Sequence, residues 1–411
     1  MTRRVVITGA SLISPVGRTE EQVMAALADG RSGVSKLADD GLLFNFLESK
    51  VFAAITYPIE YDFPRKYKKT MGPVGLYACQ AAKEAVEMSG LDLEFVASGR
   101  LGVAFGSTQG SPTVQREIFE VFFEKDHSQY IRLNPVDYLR SMSHTTAANI
   151  AKMFAITGRV ISSSTACTTS SQSIGFGYEA VKFGLQDAMI CGGADEYDTT
   201  TVAVFDRLLA ASHSYNDAPE KTPRPFDVDR DGLVIGEGAG AIVIEELEFA
   251  KKRGAPILGE IVGFACRNNG GDLILPSREG IAATIRTGLD SAGLNPDEID
   301  FVSAHATATK QGDAVEAQAL GAVYGSRPPV VGFKSYVGHT MGTCGVIETI
   351  FSLYLMKHSL VVPTLNLDHV DEACAMINHP RQVRDNRITV ASIQNFAFGG
   401  VNTVLFIKRF S

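Results

Sequence analysis

The sequence contains no apolar run of about 18 residues, the length that a membrane-spanning helix needs, so we expect no such helix. Its six cysteines are too few for a disulfide scaffold in 411 residues, and none forms a C-x-x-C pair, which argues against a structural zinc site. Basic residues are not in excess, with 38 Lys and Arg against 46 Asp and Glu, so the chain is not built to coat nucleic acid. These absences favour a reduced, cytoplasmic, soluble protein of the size of an enzyme.

Hydrophobic residues make up 45% of the sequence and charged residues 20%, which is ordinary for a globular protein and excludes a wholly disordered or collagen-like chain. The length suggests two or three domains. At the N-terminus, two arginines precede an apolar run that Gly9, Ser11 and Ser14 soon interrupt. This pattern predicts a first strand followed by a turn rather than a signal peptide.

Short β-branched segments alternate with longer amphipathic segments along the chain, which is typical of a layered α/β fold. The predicted strands lie at residues 4–8, 101–105, 160–162, 188–191, 241–244, 261–264, 299–303, 330–333, 388–392 and 404–407. The predicted helices lie at residues 20–27, 73–88, 280–292, 314–324 and 345–357, with another within 135–154. A charged helix at 246–254 ends in Lys-Lys-Arg-Gly and separates two series of similar content. We therefore predict two halves, 1–252 and 253–411, that suggest an internal duplication.

The first chemically suggestive segment is 160–171, where a β-branched run ends in hydroxyl residues, then Cys167, then a helix of small residues. A turn from strand to helix exposes the side chain at its apex, and a helix N-terminus stabilises a thiolate and can lower the thiol pKa. Cys167 is therefore a candidate nucleophile, with nearby backbone amides available for an oxyanion. The alternative is a buried core cysteine, the usual fate of such residues.

Two histidines and a lysine follow predicted strands in the second half. His305 comes directly after the strand at 299–303, and Lys334 and His339 follow the strand at 330–333. Such strand ends are where α/β folds place ligands. Each histidine alone could be a satisfied core residue, and zinc binding is a competing hypothesis that would require a third ligand at short spacing.

Seven motifs give the chain a resemblance to the elongating β-ketoacyl-acyl-carrier-protein synthases of the thiolase superfamily. They are VVITGASLISPVG at 5–17, TAC at 165–167, GGAD at 192–195, RPFDVDRDGLVIGEGAG at 224–240, HATAT at 305–309, KSYVGHTMG at 334–342 and NFAFGGVN at 395–402. The motifs cover essentially the whole chain, in the order and near the spacing of the family. The resemblance implies an α/β, thiolase-like, five-layered αβαβα fold with two pseudo-duplicated halves, usually dimeric.

The resemblance also implies a reaction. Cys167 would accept an acyl chain from the phosphopantetheine arm of an acyl carrier protein, after which malonyl-carrier protein would enter and lose CO2. His305 and His339 would stabilise the enolate, because preorganised donors lower the barrier to building charge on one oxygen. The resulting carbanion would attack the acyl group, whose oxyanion would rest on the backbone amides of Cys167 and Phe398. Lys334 would orient the site, and no metal or other cofactor is implied.

Further positions match residues of the family around this reaction. Thr307 and Thr309 match residues that bind the pantetheine arm, Phe396 is expected to bind the substrate, and Phe398 matches a gating aromatic residue. Three acidic residues match positions in a supporting network, with Glu348 as a candidate partner of Lys334: Asp313, Glu316 and Glu348. The alternative for the threonines, Asp313 and Glu316 is capping and turn chemistry.

Four positions depart from the pattern of the family. Ala306 and Ala308 replace smaller or polar residues, Leu233 stands where phenylalanine is common, and Gln109 falls where long-chain enzymes carry an apolar residue in the acyl pocket. A polar side chain there would disfavour a long saturated chain, because an unpaired amide against alkane is costly. The departures suggest the hypothesis of a specialised synthase that builds a polyene or another polyketide-like chain.

The densest basic run in this acidic chain is the segment 63–69, which aligns with the docking patch of the family for the acidic carrier protein. Its cations are Arg65, Lys66, Lys68 and Lys69, and Arg207 is a possible addition. The second expected partner is another subunit, in a homodimer or in a heterodimer with a chain-length-factor-like protein.

Three other functions were weighed against the condensing enzyme. A thiolase would need a second catalytic cysteine near the C-terminus, and none follows Cys374. A priming synthase would carry His and Asn in place of two histidines. The alternative outside catalysis is a silent or weakly active subunit of the chain-length-factor type, and the presence of Cys167 argues against it.

Overall fold

The computed structural model describes residues 2–38, 44–123, 130–131 and 133–410. The helices are α1 (Glu20–Asp29), α2 (Arg65–Lys68), α3 (Pro73–Ser89), α4 (Leu93–Ala97), α5 (Pro112–Phe123), α6 (Pro135–Ser141), α7 (Thr145–Phe154), α8 (Thr169–Lys182), α9 (Thr199–Arg207), α10 (Leu247–Lys252), α11 (Arg278–Ala292), α12 (Lys310–Tyr324), α13 (Lys334–Val337) and α14 (Cys344–His358). The strands are β1 (Val5–Ile13), β2 (Val34–Lys36), β3 (Val51–Ala53), β4 (Leu101–Gly106), β5 (Val160–Ile161), β6 (Ala188–Asp195), β7 (Gly238–Glu246), β8 (Gly259–Asn268), β9 (Phe301–Ser303), β10 (Val330–Val331), β11 (Leu360–Val361), β12 (Arg384–Asp385), β13 (Val390–Ala397) and β14 (Val401–Lys408).

The main sheet consists of two five-stranded units with the same topology. The first unit has the order β5-β4-β6-β7-β1, and the second has the order β10-β9-β13-β14-β8. In each unit the first three strands of that order are parallel and the remaining pairs are antiparallel. The units join through three antiparallel pairs between β1 and β8, from Val5↔Ile261 to Ile7↔Gly259. This repetition confirms the predicted α/β fold of two pseudo-duplicated halves.

The helices complete the layers around the sheet. α8 packs against α14 and against β6 and β4, while α14 also packs against β13, so this pair forms the central layer. α3 and α7 cover the outer face of the first unit, and α11 and α12 cover that of the second. Most of the apolar strand residues are buried on both faces, as a sheet covered by helices on both sides requires. The predicted five-layered αβαβα arrangement is thus confirmed.

Several predicted segments differ from the observed elements at their ends. The helix predicted at 246–254 is shorter, because β7 extends to Glu246, whose carboxylate caps α10 by accepting a hydrogen bond from Phe249 N at 2.7 Å. The region 135–154 holds two helices, since Met142 between them is extended, with φ −75° and ψ 145°. No described helix has both the length and the apolar character needed to cross a bilayer.

The chain places four loops at the same edge of the sheet. β5 leads into the turn Ala166–Thr168, β9 leads into His305, β10 leads into α13, and β13 leads into Phe398. Because the carboxyl ends of parallel strands meet at one edge, loops from both units converge there. The beginnings of α8 and α14 lie beneath this edge.

Candidate active site

Cys167 lies in a single 3₁₀ turn, Ala166–Thr168, that continues directly into α8. Ala166 has a φ of 46°, a left-handed conformation that is costly for alanine and rare outside functional turns. Thr169 holds this turn, because its hydroxyl donates to Ala166 O at 2.8 Å and accepts from Thr165 N at 2.9 Å. The local structure thereby turns the thiol of Cys167, which is 6% exposed, towards a cavity.

Both predicted histidines reach this thiol. His339 Nε2 lies 3.0 Å from Cys167 Sγ, and the rings of His305 and His339 meet edge to face with centroids 5.3 Å apart. Two hydrogen bonds fix the backbone of His339. Its N donates to Val234 O at 2.6 Å, and its O accepts from Gly236 N at 2.9 Å. Cys167 therefore forms one cluster with two histidines that lie more than 130 positions further along the sequence.

A buried lysine sets the tautomer of His305. Lys334 Nζ lies 3.2 Å from His305 Nδ1 and donates to Glu348 Oε1 at 2.6 Å. An ammonium group can only donate, so Nδ1 of His305 must accept and its proton must reside on Nε2. Burial alone would lower the pKa of Lys334, but the charges around it and the bond to Glu348 raise it. The lysine therefore stays charged and keeps His305 as a hydrogen-bond donor through Nε2.

The titratable groups at the centre of the cluster are held in their neutral forms. Burial lowers the pKa of His305 and His339 well below 6.5, and the charge of Lys334 lowers it further. Burial raises the pKa of the Cys167 thiol to about 12, and Lys334 offsets part of this rise. The lowering that was expected from the helix N-terminus is outweighed by desolvation. The candidate nucleophile is consequently a thiol beside a neutral imidazole.

Asp313 and Glu316 support the backbone of the loop that carries His305. Glu316 accepts from His305 N and Ala306 N, each at 2.7 Å, while Asp313 accepts from Ala308 N at 3.0 Å. Burial raises the pKa of Glu316 to about 8 and that of Asp313 to about 6. Ala306 and Ala308 have positive φ values of 41° and 66°, a conformation that these carboxylates hold in place. Asp313 and Glu316 thus bind backbone amides of a turn, which agrees with the turn chemistry named in the sequence analysis as the alternative for these two residues.

The thiol and both histidines open into a cavity of about 710 Å³. Six of the predicted site residues line it besides these three: Leu233, Thr307, Thr309, Glu316, Phe396 and Phe398. The hydroxyls of Thr307 and Thr309 lie 3.1 Å apart, and the Phe396 ring packs against His305 with centroids 5.7 Å apart. Phe398 is 38% exposed and stacks on Phe205.

Gln109 lies outside this cavity, exposed on the loop after β4. Its side-chain nitrogen donates to Thr201 Oγ1 at 2.8 Å. Within the described residues, the structure therefore does not bring Gln109 together with the thiol. Lys334, Asp313 and Glu348 also lie outside the cavity lining, buried behind it.

The sequence interpretation missed two residues beneath the nucleophile. Asn395 Nδ2 donates to Glu348 Oε2 at 2.7 Å and lies 3.4 Å from Cys344 Sγ. The thiol of Cys344 donates to Cys167 O at 3.2 Å. Asn395 opens the motif at 395–402, so its position was a usable signal, whereas no feature of the sequence singled out Cys344.

The basic segment lies on the surface around α2, with Lys69 next to the end of the helix. Lys66 lies over the ring of Tyr67 at 4.9 Å and Lys68 over that of Phe63 at 5.5 Å, counted to the ring centroids. Within the described residues, the four cations of this segment form no ion pair with a carboxylate. The segment therefore keeps its positive charge available.

Ligand atoms of Cys167, His305 and His339 lie within 4.8 Å of one another, and these residue types bind zinc. However, the Lys334 ammonium contacts His305 at 3.2 Å and would repel a second cation. The arrangement of donors and acceptors fits proton transfer and oxyanion binding better than metal binding.

Comparisons with known proteins give one consistent result. Residues 2–250 match the family model "Beta-ketoacyl synthase, N-terminal domain" and residues 258–368 match "Beta-ketoacyl synthase, C-terminal domain". The chain is 33% identical to 3-oxoacyl-[acyl-carrier-protein] synthase 1 of Escherichia coli K12, over 99% of both chains. It is also similar to a solved beta-ketoacyl synthase from Burkholderia phymatum STM815, with 39% identity, a TM-score of 0.94 and 100% coverage of both chains. The solved ishigamide ketosynthase/chain length factor is 30% identical, with a TM-score of 0.90 and the same coverage.

Proposed function

The chain belongs to the β-ketoacyl synthase family, and we propose on this premise that it uses Cys167 to elongate acyl chains carried by an acyl carrier protein. It is an acyltransferase, a 3-oxoacyl-acyl-carrier-protein synthase that works by decarboxylative Claisen condensation. The observation that carries the residue assignments is the 3.0 Å contact of Cys167 Sγ with His339 Nε2, beside the ring of His305. The substrates need no bound cofactor, because they arrive on the phosphopantetheine of the carrier.

In the first step Cys167 takes the acyl group. Because its thiol is protonated at rest, His339 Nε2 accepts the proton while the sulfur attacks the thioester carbonyl. The bond from the acyl carbon to the pantetheine sulfur breaks, and that sulfur receives the proton. The product is an acyl-Cys167 thioester and a free carrier thiol.

In the second step the malonyl group loses CO2. The electron pair of the broken carbon–carbon bond forms an enolate, whose oxygen accepts a hydrogen bond from Nε2 of His305. His339 donates the second hydrogen bond once its ring proton has moved from Nδ1 to Nε2, because Nε2 has passed the proton of Cys167 to the pantetheine sulfur. The contact of Lys334 with His305 Nδ1 leaves the Nε2 hydrogen of His305 free for this bond. A neutral ring donates this hydrogen bond through its single N–H group. The lowered pKa values of both histidines keep their rings neutral.

In the third step the carbanion attacks the acyl carbonyl of Cys167. The tetrahedral oxyanion lies near the backbone amides of Cys167 and Phe398, which can donate hydrogen bonds to it. Collapse of the intermediate breaks the carbon–sulfur bond, releases the 3-oxoacyl group on the carrier and leaves a Cys167 thiolate, which takes up a proton from water through His339 to restore the resting thiol. Thr307 and Thr309 bind the pantetheine arm along the cavity, with Phe398 at its exposed end as a gate.

The acidic carrier protein docks on the basic segment. Arg65, Lys66, Lys68 and Lys69 lack carboxylate partners among the described residues, so their charge can steer the encounter. Neutralising Arg65, Lys68 and Lys69 should raise the apparent KM for the carrier and weaken its dependence on salt. Neutralising the exposed Lys251 and Lys252 on α10 is the matched control. An unchanged KM in the first variant would refute the assignment.

A second subunit covers an apolar surface next to β5. This strand ends the sheet, so its outer edge has no partner strand among the described residues, and Val160 is 48% exposed. Large apolar side chains are exposed nearby on α5 and α6: Phe119, Phe122, Phe123, Tyr138 and Leu139. Light scattering should give twice 44.1 kDa for a homodimer. A monomer that dimerises when a chain-length-factor-like protein is added would establish the heterodimer, and a monomer under both conditions would refute the interface.

The acyl chain is of the specialised, polyene or polyketide-like kind. Gln109 lies just before α5 and therefore near the surface proposed for the second subunit. In the assembled protein its amide would border the acyl chain, and its bond to Thr201 satisfies only one amide hydrogen. A preference for long saturated acyl carriers, in assays that vary chain length and unsaturation, would count against this proposal.

The six cysteines are free thiols, which suits a reducing cytoplasm. The proposed halves, 1–252 and 253–411, contribute the thiol and the two histidines respectively. Mass spectrometry after incubation with an acyl-carrier protein tests the function directly. We expect an acyl adduct on Cys167 that is lost in Cys167→Ala and kept in Cys374→Ala. Absence of the adduct from the unaltered protein would favour a silent subunit of the chain-length-factor type.

A further inference from the structure

A chain of buried hydrogen bonds links Lys334 to the backbone of the nucleophile. Lys334 Nζ donates to Glu348, and Glu348 accepts from Asn395 on its other oxygen. Asn395 Nδ2 lies 3.4 Å from Cys344 Sγ, and this sulfur donates to Cys167 O at 3.2 Å. All five residues are at most 6% exposed, so water cannot replace these contacts easily.

The side chain of Asn395 is oriented by partners on every side. Its two amide hydrogens point to Glu348 and Cys344, and its oxygen accepts a hydrogen bond from Ser171 Oγ on α8. The exchange of its nitrogen and oxygen would place two oxygens face to face at Glu348. The asparagine therefore has one orientation, and it connects β13 to the beginnings of α8 and α14.

The two helices leave little space around Cys344, the first residue of α14. A Cβ on the neighbouring Gly345 would press against Ser171 Oγ and would lie 2.7 Å from Asn395 Oδ1. Such close packing fixes the distance between the helix beginnings and aims the Cys344 side chain at the Cys167 carbonyl. The contact is thus a consequence of the fold of both halves.

Cys344 makes two different hydrogen bonds at once. Its sulfur accepts from Asn395 and donates to Cys167 O, a combination that a thiol or a hydroxyl can provide and a methyl group cannot. Burial raises the pKa of Cys344 well above 9.0, so the group keeps its proton and remains a donor. Serine is therefore the conservative replacement, and alanine removes both bonds.

We propose that Cys344 and Asn395 are positioning residues that hold the turn of Cys167 in register with the Lys334–Glu348 pair. The proposal rests on the proposed function of Cys167 and adds two residues to it. Through Lys334 the same chain of contacts reaches His305, so one network orients both the nucleophile and an enolate donor. Neither positioning residue lines the cavity, so neither touches the substrate.

The test compares Cys344→Ala with Cys344→Ser in the full-length protein. We expect Cys344→Ala to lower the rate constant for acylation of Cys167 about tenfold with little change in KM, because substrate contacts are intact. The midpoint of Cys167 alkylation by iodoacetamide should move to higher pH, because the thiol is held less well against His339. Cys344→Ser should recover most of the rate and the original midpoint. Cys374→Ala, which removes another buried thiol, is the matched control.

A double-mutant cycle with Asn395→Ala separates positioning from general loss of packing. If the two residues act in one chain, Cys344→Ala should cost much less in the Asn395→Ala background than alone. Additive effects, or a Cys344→Ser variant as slow as Cys344→Ala, would overturn the proposal. Should Cys344→Ala fail to fold in a thermal melt, Asn395→Ala alone decides: its acylation rate and alkylation midpoint should change in the same direction as expected for Cys344→Ala, and unchanged values would overturn the proposal.

The two proposals can fail separately. If Cys167→Ala still condenses acyl groups, the proposed function is wrong. If Cys167→Ala is inactive but Cys344→Ala and Asn395→Ala keep the rate and pH midpoint of the unaltered protein, the positioning network alone is wrong.

Discussion

Replacing Glu348 with glutamine tests how far the protein depends on a charge pair buried away from water. Glu348 and Lys334 are each 1% exposed, and 2.6 Å separates Oε1 of the carboxylate from Nζ of the ammonium. Glutamine keeps the shape of the side chain and can still accept from Asn395. It removes the negative charge, however, and leaves the ammonium without a counterion in a medium of low polarity.

The expected loss in the free energy of unfolding follows from the burial of the Lys334–Glu348 pair. Breaking a buried pair by removing one partner costs about 3–5 kcal/mol, because an uncompensated charge remains. An exposed pair provides the comparison: Lys36 and Asp217 lie 3.1 Å apart, but their side chains are 59% and 97% exposed. Because solvent screens such a pair, Asp217→Asn should cost at most about 1 kcal/mol. The two variants remove the same charge and differ in burial.

The assay is equilibrium unfolding in urea at one protein concentration. Far-ultraviolet circular dichroism is the suitable signal, because the sequence contains no tryptophan. Glu348→Gln should lower the free energy of unfolding by several times the loss in Asp217→Asn. The double variant Glu348→Gln, Lys334→Met should recover much of that loss, since it leaves no buried charge. A loss in Glu348→Gln no larger than that in Asp217→Asn would refute the reasoning.

Two further predictions concern stability. Burial, with the charge of Lys334, keeps His305 and His339 neutral in the fold, whereas unfolded histidines take up protons near pH 6.5. At these two histidines the unfolded state binds more protons below pH 6.5, so they lower the free energy of unfolding as the pH drops through that value, whereas the buried acids Asp195 and Glu316 act in the opposite direction over this range. Urea titrations on either side of pH 6.5, compared between the unaltered protein and the double variant His305→Gln, His339→Gln, isolate the contribution of the histidines, and the same pH dependence in both would contradict it. Separately, Gly345→Ala should lower the free energy of unfolding by about 1–3 kcal/mol, because the added methyl group crowds α8. Gly271→Ala, which has open space around its position, should lower it by less than about 1 kcal/mol. Equal losses in the two variants would contradict the packing argument.

The sequence allowed the α/β fold and the placement of the histidines to be predicted, because both depend on local pattern. The apolar run at 299–303 predicts a strand, and His305 follows it at the edge where ligands bind. The small residues after Cys167 likewise predict the turn into α8. The order of the family motifs along the chain then predicted that these loops form one site.

The sequence alone suggested Glu348 as a partner of Lys334, and the structure shows that contact, but it did not predict the contacts that continue from Glu348 to Cys344 and Cys167. Cys344 and Cys167 are 177 positions apart, and no periodic pattern indicates that the first contacts the carbonyl of the second. The direction in which the pKa of the Cys167 thiol shifts could not be predicted from the sequence either. A helix N-terminus lowers a thiol pKa and burial raises it, and the degree of burial of Cys167 is a property of the packed fold.

The duplicated topology explains why each half supports a loop of the candidate site that belongs to the other half. Cys167 follows β5, and the loops of Lys334 and His339 follow β10, the strand at the equivalent place in the second unit. In the first half, Thr108 Oγ1 donates to Asp195 at 3.1 Å and accepts from Gly342 N at 2.8 Å, next to the histidine loop.

In the second half, Cys344 bonds the carbonyl of Cys167, so the support runs in both directions. Asp195, which takes part in this support from the first half, is buried, and burial raises its pKa to about 7. Condensation needs the thiol and both imidazoles at fixed distances. Neither half contains the thiol and both imidazoles. The close packing of the beginnings of α8 and α14 is therefore the means by which the two similar halves form one site.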